Sequence, residues 1–210
     1  MKVGLTGGIA SGKSAVGEMF VALGAHLIRA DEISHQLMRP GQNVYNEVVA
    51  HFGGDILDSS GSVNRAKLAE AAFSAGPTGK SRVAELNRIV HPAVIRAQEQ
   101  WMDEVGQRDP NGIAIVEAAL IIEAGAAKRF DRLIVVTCSD EQRIARFAAR
   151  QKIDLDAARK EVTRRMAAQL PEAEKIKLAD FVIDNSGSLD RTRQQVEEIW
   201  SKIYRASTHA

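Results

Sequence analysis

The sequence predicts an α/β three-layer fold, a parallel five-stranded sheet with helices on both faces. Three observations predict it. Five short apolar runs lie at Val3–Leu5, His26–Ile28, Ile113–Val116, Leu133–Thr137 and Phe181–Ile183. Most lack polar alternation, as strands covered on both faces do. Helical patterns separate them, which is the signature of crossover connections in a parallel sheet. A glycine-rich turn follows the first run and leads straight into a helix.

The 210 residues suit one domain with insertions. A composition of 45% hydrophobic and 26% charged residues is enough to build a core. The formal net charge of +1 argues against a broad nucleic-acid footprint, so any anion site must come from local clustering of Lys and Arg. The one cysteine, Cys138, excludes an intramolecular disulfide and a Cys-based zinc site. It reads as a buried strand thiol. No run approaches the apolar length of a membrane span, and the N-terminal stretch lacks the pattern of a signal peptide. No membrane partner and a cytoplasmic location are therefore expected.

The first crossover passes through a helix, Ala15–Leu23. The interval from Asp31 to Asn111 is far longer. It carries helix-like stretches at Glu32–Leu37, Val44–His51, Arg65–Ala72, Lys80–Val90 and Pro92–Val105. Turn signals at Arg39-Pro40-Gly41, Gly53-Gly54-Asp55, Ser59-Ser60-Gly61 and Ala75-Gly76-Pro77 separate them. This reads as a helical insertion beside the sheet, placed to hold a second substrate. Two charged helices, about Asp140–Lys152 and Leu155–Leu170, follow the fourth strand and read as a lid. The last helix, Asp190–Tyr204, sets Val196, Ile199, Trp200 and Ile203 on one face. Trp101 and Trp200 read as core residues.

The decisive motif is Gly7-Gly8-Ile9-Ala10-Ser11-Gly12-Lys13-Ser14, followed by Ala15, which fits G-x-x-x-x-G-K-[ST]. Glycines let backbone N–H groups turn inward onto phosphate oxygens, and the helix that follows adds its positive end. Lys13 can reach the β- and γ-phosphates and Ser14 can bind Mg²⁺. The fold class is then that of P-loop NTPases. A GTPase should also carry an N/T-K-x-D motif, which is missing. Asp58-Ser59-Ser60-Gly61 matches D-x-x-G but reads as a β-turn.

Asp31 falls just past the second strand, at the edge where open α/β sheets bind ligands. It reads equally as the carboxylate that accepts an acceptor hydroxyl's proton and as the N-cap of the next helix. Glu117 ends the third strand, where it either faces a metal-bound water or is a solvated strand-end acid. Arg143, Arg146 and Arg150 fall at i, i+3 and i+7 on one helical face. They form either a solvated face or a lid that brings positive charge to the transition state, and phosphoryl transfer favours the second for Arg146 and Arg150. His91 reads as a cap or packing residue. His35 reads as a surface or groove histidine, since no second metal ligand stands at the right spacing.

Together these pieces resemble the dephospho-CoA kinase family from Val3 to about Val196. The stretch Leu5–Ser14 resembles the family's L-T-G-G-I-x-S-G-K-S cradle. Arg29-Ala30-Asp31 is similar to its D-A-D motif, whose second acid is the catalytic base. Phe52-Gly53, Gly61, Arg65, Leu68 and Phe73 stand in the order F-G…G…R…L…F, and His91-Pro92 matches an H-P pair. Glu117–Glu123 resembles D-V-P-L-L-x-E. Gln169, Lys175, Ala179-Asp180 and Asn185 match Q-x5-K-x3-A-D…N. There are departures: Arg29 replaces the first acid of D-A-D, Glu117 replaces the Asp of the P-L-L segment, and Ala119 replaces its proline.

The resemblance implies transfer of the γ-phosphoryl group of ATP, with Mg²⁺, to the ribose 3′-hydroxyl of dephospho-CoA, the last step of coenzyme A synthesis. It implies a core formed by 1–31, 111–138 and 179–210, a CoA-binding insertion at 32–110 and a lid at 139–178. Asp31 would be the base and Asn185 would lie by the adenine. Asp31, His35, Arg65, His91 and Glu117 would lie on the substrate side, and Lys13, Arg146 and Arg150 would act on the phosphates. A monomer or weak homo-oligomer is expected. The alternatives are another P-loop small-molecule kinase or a nucleotide-binding regulatory module without transfer activity.

Overall fold

The computed structural model describes residues 1–73 and 81–208. The expected turn Ala75-Gly76-Pro77 and the start of the expected helix at Lys80 lie outside them. The chain divides into two compact units, Met1–Arg29 with Met102–Ala210, and Ala30–Trp101.

The first unit is built on strands β1 (Lys2–Gly7), β2 (His26–Arg29), β3 (Ala114–Glu117), β4 (Arg132–Thr137) and β5 (Phe181–Asp184). All pairings are parallel, in the order β2-β3-β1-β4-β5. The expected five-stranded parallel sheet is present, with each strand within a residue or two of its apolar run. The reason is burial: Val3, Leu5, Ile115, Ile134, Val136 and Ile183 are fully enclosed, so covering the sheet fixes their register. Helices α1 (Lys13–Ala22) and α9 (Leu189–Thr208) supply Val16 and Phe20, and Val196, Ile199 and Ile203, to the same core.

The chain leaves β1 toward β2 and β3 on one side, and continues later into β4 and β5 on the other. The crevice at the carboxyl end of β1 is thus a topological switch point, where α/β sheets place ligands. After β4 come α6 (Asp140–Gln151), α7 (Leu155–Ala167) and the short α8 (Glu172–Lys177). Helix α7 ends earlier than the expected Leu170, because Pro171 stops one helix and starts the next. Asp180 explains the A-D pair of the sequence pattern: its Oδ2 accepts the Leu133 N–H at 2.7 Å, and its own N–H donates to the Leu133 carbonyl at 2.9 Å. That reciprocal pair fixes the register at the start of β4 and β5.

The second unit holds α2 (Ala30–Leu37), α3 (Asn43–Phe52), α4 (Arg65–Phe73) and most of α5 (Val83–Arg108). Ile33, Val44, Val48, Phe52, Leu68, Ala72, Val90 and Val94 are its buried apolar residues. Arg82 ties it together by donating to the His51 carbonyl at 2.8 Å and to Glu85 at 2.9 Å, with its guanidinium 4.4 Å from the Phe52 ring centre. The sequence suggested a helix break at His91-Pro92, but α5 runs through it with Pro92 inside. Proline removes one backbone hydrogen bond there. The buried Val90 and Val94, one turn apart on either side of it, keep both halves packed on one line.

Asp180→Ala should remove the acceptor of the buried Leu133 N–H and cost about 1–2 kcal/mol. Urea unfolding of wild type, Asp180→Ala and Asp180→Asn checks this. A midpoint unchanged in the alanine variant would show that the pair does not hold the β4–β5 register.

Candidate phosphate-binding site

Gly7 ends β1, residues Gly8–Gly12 form a loop, and α1 begins at Lys13. No side chain caps α1 and no acid stands in its first turn, so its first N–H groups and positive end remain available to an anion. The loop is contorted: Ala10 has φ +53° and Gly12 φ +93°. Gly12 is required twice over, by that conformation and because a Cβ would fall 2.1 Å from Asn185 Nδ2. At Gly8 a Cβ would meet Arg143 Nη1 at 2.4 Å.

The loop's carbonyls are held from inside. Arg143 donates to the Ile9 carbonyl at 3.1 Å. Arg146 Nη1 and Asn185 Nδ2 donate to the Ser11 carbonyl at 3.2 and 2.9 Å. The Lys13 ammonium donates to the Gly7 carbonyl at 3.1 Å. Ile9 packs against Ile144, Phe147, Ala148, Ala158 and Val162 of α6 and α7. The thiol of Cys138 lies 3.8 Å from the Ala10 carbonyl, and burial pushes its pKa up, as fits the buried strand thiol expected from sequence.

The arginine stripe splits into three roles. Arg143 is buried and ion-paired to Glu172, with Asp140 3.5 Å away. Arg146 bridges the Ser11 carbonyl and the Asn185 carbonyl, the latter at 2.9 Å. Arg150 is exposed, 5.6 Å from the Phe147 ring centre. Asn185 is buried with its polar atoms committed. Its N–H donates to the Thr137 carbonyl, its amide N–H to Ser11, and its Oδ1 accepts the Thr192 hydroxyl at 2.9 Å. Its side chain shapes the loop and has no capacity left to read a base.

Glu117 is buried at the end of β3. Its Oε1 accepts the Ser14 hydroxyl at 2.8 Å. Its Oε2 lies 3.2 Å from Arg29 Nε without the alignment of a hydrogen bond. Arg29 also contacts Glu18. The solvated strand-end acid allowed by the sequence is therefore not what forms. Ser14 donates its proton to Glu117 and keeps its lone pairs free, and Glu117 keeps a buried unpaired oxygen. This donor set fits Mg²⁺, which takes a hydroxyl, one carboxylate through water and phosphate oxygens. Glu123 pairs with buried Lys175 at 2.7 Å and accepts the Leu170 N–H at 3.1 Å. With Gln169 3.5 Å from Lys175, three residues of the sequence pattern act together as a structural tie.

The remaining sequence candidates belong to the second unit. Helix α2 starts at Ala30, so Asp31 sits inside its first turn and is not the cap that sequence allowed. Its side chain is exposed, and the Ser34 hydroxyl donates to its carbonyl at 3.0 Å. His35 is held below the usual histidine range by burial and then by Arg65, with Asp31 and Glu32 opposing. Asp31, His35 and Arg65 are thus electrostatic neighbours. Burial alone lowers His91. Sequence reasoning missed the loop's anchors, Glu172, Thr192 and the buried role of Arg143. The Arg143 spacing was visible, but no pattern marks a charge as buried.

A central β1 that ends in this loop, with a strand-end acid hydrogen-bonded to its serine, defines a P-loop kinase fold. The family profile described as dephospho-CoA kinase matches residues 1–191. The dephospho-CoA kinase of Syntrophotalea carbinolica is 37% identical over 201 residues, 96% of this chain and 91% of that protein. That of Aquifex aeolicus is 36% identical over 204 residues, covering 97% and 98%. A solved structure from Thermus thermophilus, TT1252, superposes with a TM-score of 0.76 at 29% identity, covering 96% of this chain and 97% of its own. The chain belongs to the dephospho-CoA kinase family, whose members are ATP-dependent transferases.

Gly12→Ala should weaken ATP binding at least tenfold, because the added methyl strains a left-handed residue and displaces the Asn185 amide from Ser11. Calorimetric titration with ATP measures it. Unchanged affinity in the folded variant would remove the cradle from nucleotide binding.

Proposed function

We propose that this chain phosphorylates the ribose 3′-hydroxyl of dephospho-CoA with the γ-phosphoryl group of ATP, using the Gly7–Ser14 loop as its phosphate cradle. The observation that carries this reading is the loop itself. Its carbonyls are bonded inside the molecule, which leaves its N–H groups and the α1 terminus to the triphosphate.

In this reading Lys13 turns from the Gly7 carbonyl to the β- and γ-phosphates. Arg146 and Arg150 supply positive charge as three negative oxygens develop. Ser14 and Glu117 would hold Mg²⁺, which when bound neutralises charge on the β- and γ-oxygens. Asp31 accepts the 3′-hydroxyl proton as that oxygen bonds to the γ-phosphorus, and the bond to the bridging oxygen breaks to release ADP. An exposed carboxylate in a helix's first turn is free of the capping duty that would otherwise explain it.

The 32–110 insertion, with His35, Arg65 and His91, binds dephospho-CoA; the positive Arg65 beside His35 suits its phosphates. Residues 139–178 serve as the lid. The cytoplasm suits a reaction that draws on ATP, and no helix among the described residues is long and apolar enough to cross a membrane. A monomer or weak homo-oligomer suffices, since every residue given a role here comes from one chain.

Lys13→Ala should lower turnover by several orders of magnitude in a folded protein. A coupled ADP-release assay with dephospho-CoA, run beside AMP, CMP and shikimate, checks this together with acceptor choice. Near-normal turnover would end the P-loop assignment, and faster turnover with another acceptor would end the dephospho-CoA assignment.

Asp31→Asn should cost about 10²–10⁴-fold in turnover, with ATP affinity and thermal midpoint nearly unchanged. Retained turnover would refute Asp31 as the base.

A further inference from the structure

We infer that Arg29 is a positioning residue that acts as counter-cation to Glu117, so that a divalent cation is held at Ser14 and Glu117 only together with the nucleotide's phosphates. The inference rests on the reading of Ser14 and Glu117 as the metal-facing pair.

Three observations carry it. Glu117 is buried, and only one of its oxygens has a hydrogen bond, from Ser14. Beside the other oxygen, at 3.2 Å, stands the Arg29 guanidinium. Glu18 contacts Arg29 from solvent and steadies it there. A charged carboxylate out of water needs a nearby positive charge, and Arg29 provides one before any metal arrives.

The charges decide the consequence. With Arg29, its two acids, Glu18 and Glu117, leave a group of net −1. A divalent ion approaching Glu117 then meets a fixed guanidinium whose repulsion nearly offsets one carboxylate. Among the described residues no group of three or more His, Cys, Asp or Glu could hold a metal by itself. Phosphate oxygens must therefore supply the missing negative charge, as is usual for Mg²⁺. Arg29 stands where the D-A-D pattern has an acid, so the charge at this point is reversed. An acid there would make the same group −3 and attractive to a free divalent ion.

The test is binding of Mn²⁺, followed by the electron paramagnetic resonance of the free ion, in wild type, Arg29→Lys, Arg29→Gln and Arg29→Asp. Each is titrated alone and with the β,γ-imido analogue of ATP. Without nucleotide, wild type and Arg29→Lys should bind Mn²⁺ weakly. Arg29→Gln should bind it roughly ten- to a hundredfold more tightly, and Arg29→Asp more tightly again. With the analogue, all four should bind and the spread should narrow.

Equal affinities in all four without nucleotide, with binding intact when the analogue is present, would overturn the inference alone. Arg29→Lys behaving like Arg29→Gln would overturn it too, since a merely structural guanidinium would fail in both while charge is kept in only one. Absence of Mn²⁺ binding in every chain, analogue present, would remove the metal-facing pair and the inference with it. Should circular dichroism find Arg29→Asp unfolded, the Lys and Gln variants decide the matter.

Discussion

Everything at the site depends on where the loop's carbonyl oxygens go. A backbone that offers its N–H groups to an anion must point its carbonyls the other way, and buried carbonyls need donors. Arg143, Arg146 and Asn185 provide them at Ile9 and Ser11. Without these donors the Gly8–Gly12 segment would lose free energy at each buried oxygen and could relax to a conformation with its N–H groups turned in. The cradle is thus held by α6 and the β5–α9 turn, both far from it in sequence. The glycines permit the shape, and the donors select it.

Using arginine for this task brings a charge into the interior, which is costly unless it is paired. Glu172, at the start of α8, pairs with Arg143. Next on the same short helix, Lys175 is buried against Glu123. Helix α8 therefore has only six residues but closes two ion pairs, one beneath the cradle and one onto the Ala118–Ala126 segment. A six-residue helix has little stability of its own. Its place is fixed by these pairs and by Pro171, which explains why the sequence pattern around Gln169 and Lys175 carries no visible chemistry of transfer.

The sheet was legible in the sequence because its strands are covered on both faces, which forces continuous apolar runs such as Leu133–Thr137. The cradle was legible because glycine, lysine and serine at that spacing meet few other demands. Partnerships between distant polar groups were not legible. The i, i+3, i+7 spacing put Arg143, Arg146 and Arg150 on one face and suggested one shared task. Burial gives each a different one, because burial depends on what packs above the face and α7 and α8 cannot be docked from spacing. The continuity of α5 through Pro92 was hidden for the same reason: local chemistry favours a break, and packing of Val90 and Val94 overrules it.

The same contacts limit how far the 139–178 segment can act as one lid. Helix α6 is bound to the cradle through Arg143 and Arg146, and Ile9 is embedded among Ile144, Phe147 and Ala148. Lifting all of α6 would break two charge-assisted hydrogen bonds and expose that cluster, along with the buried Arg143–Glu172 pair. A motion that leaves the cradle intact must begin after these anchors. The chain offers a place at Lys152, which ends α6 with φ +55° ahead of Asp154, the side-chain cap of α7. Arg150 lies between the last anchor and that turn and is exposed. Of the three arginines in the stripe, it is the one whose position can change without dismantling the phosphate cradle, whereas Arg146 can contribute charge only from where the loop already holds it.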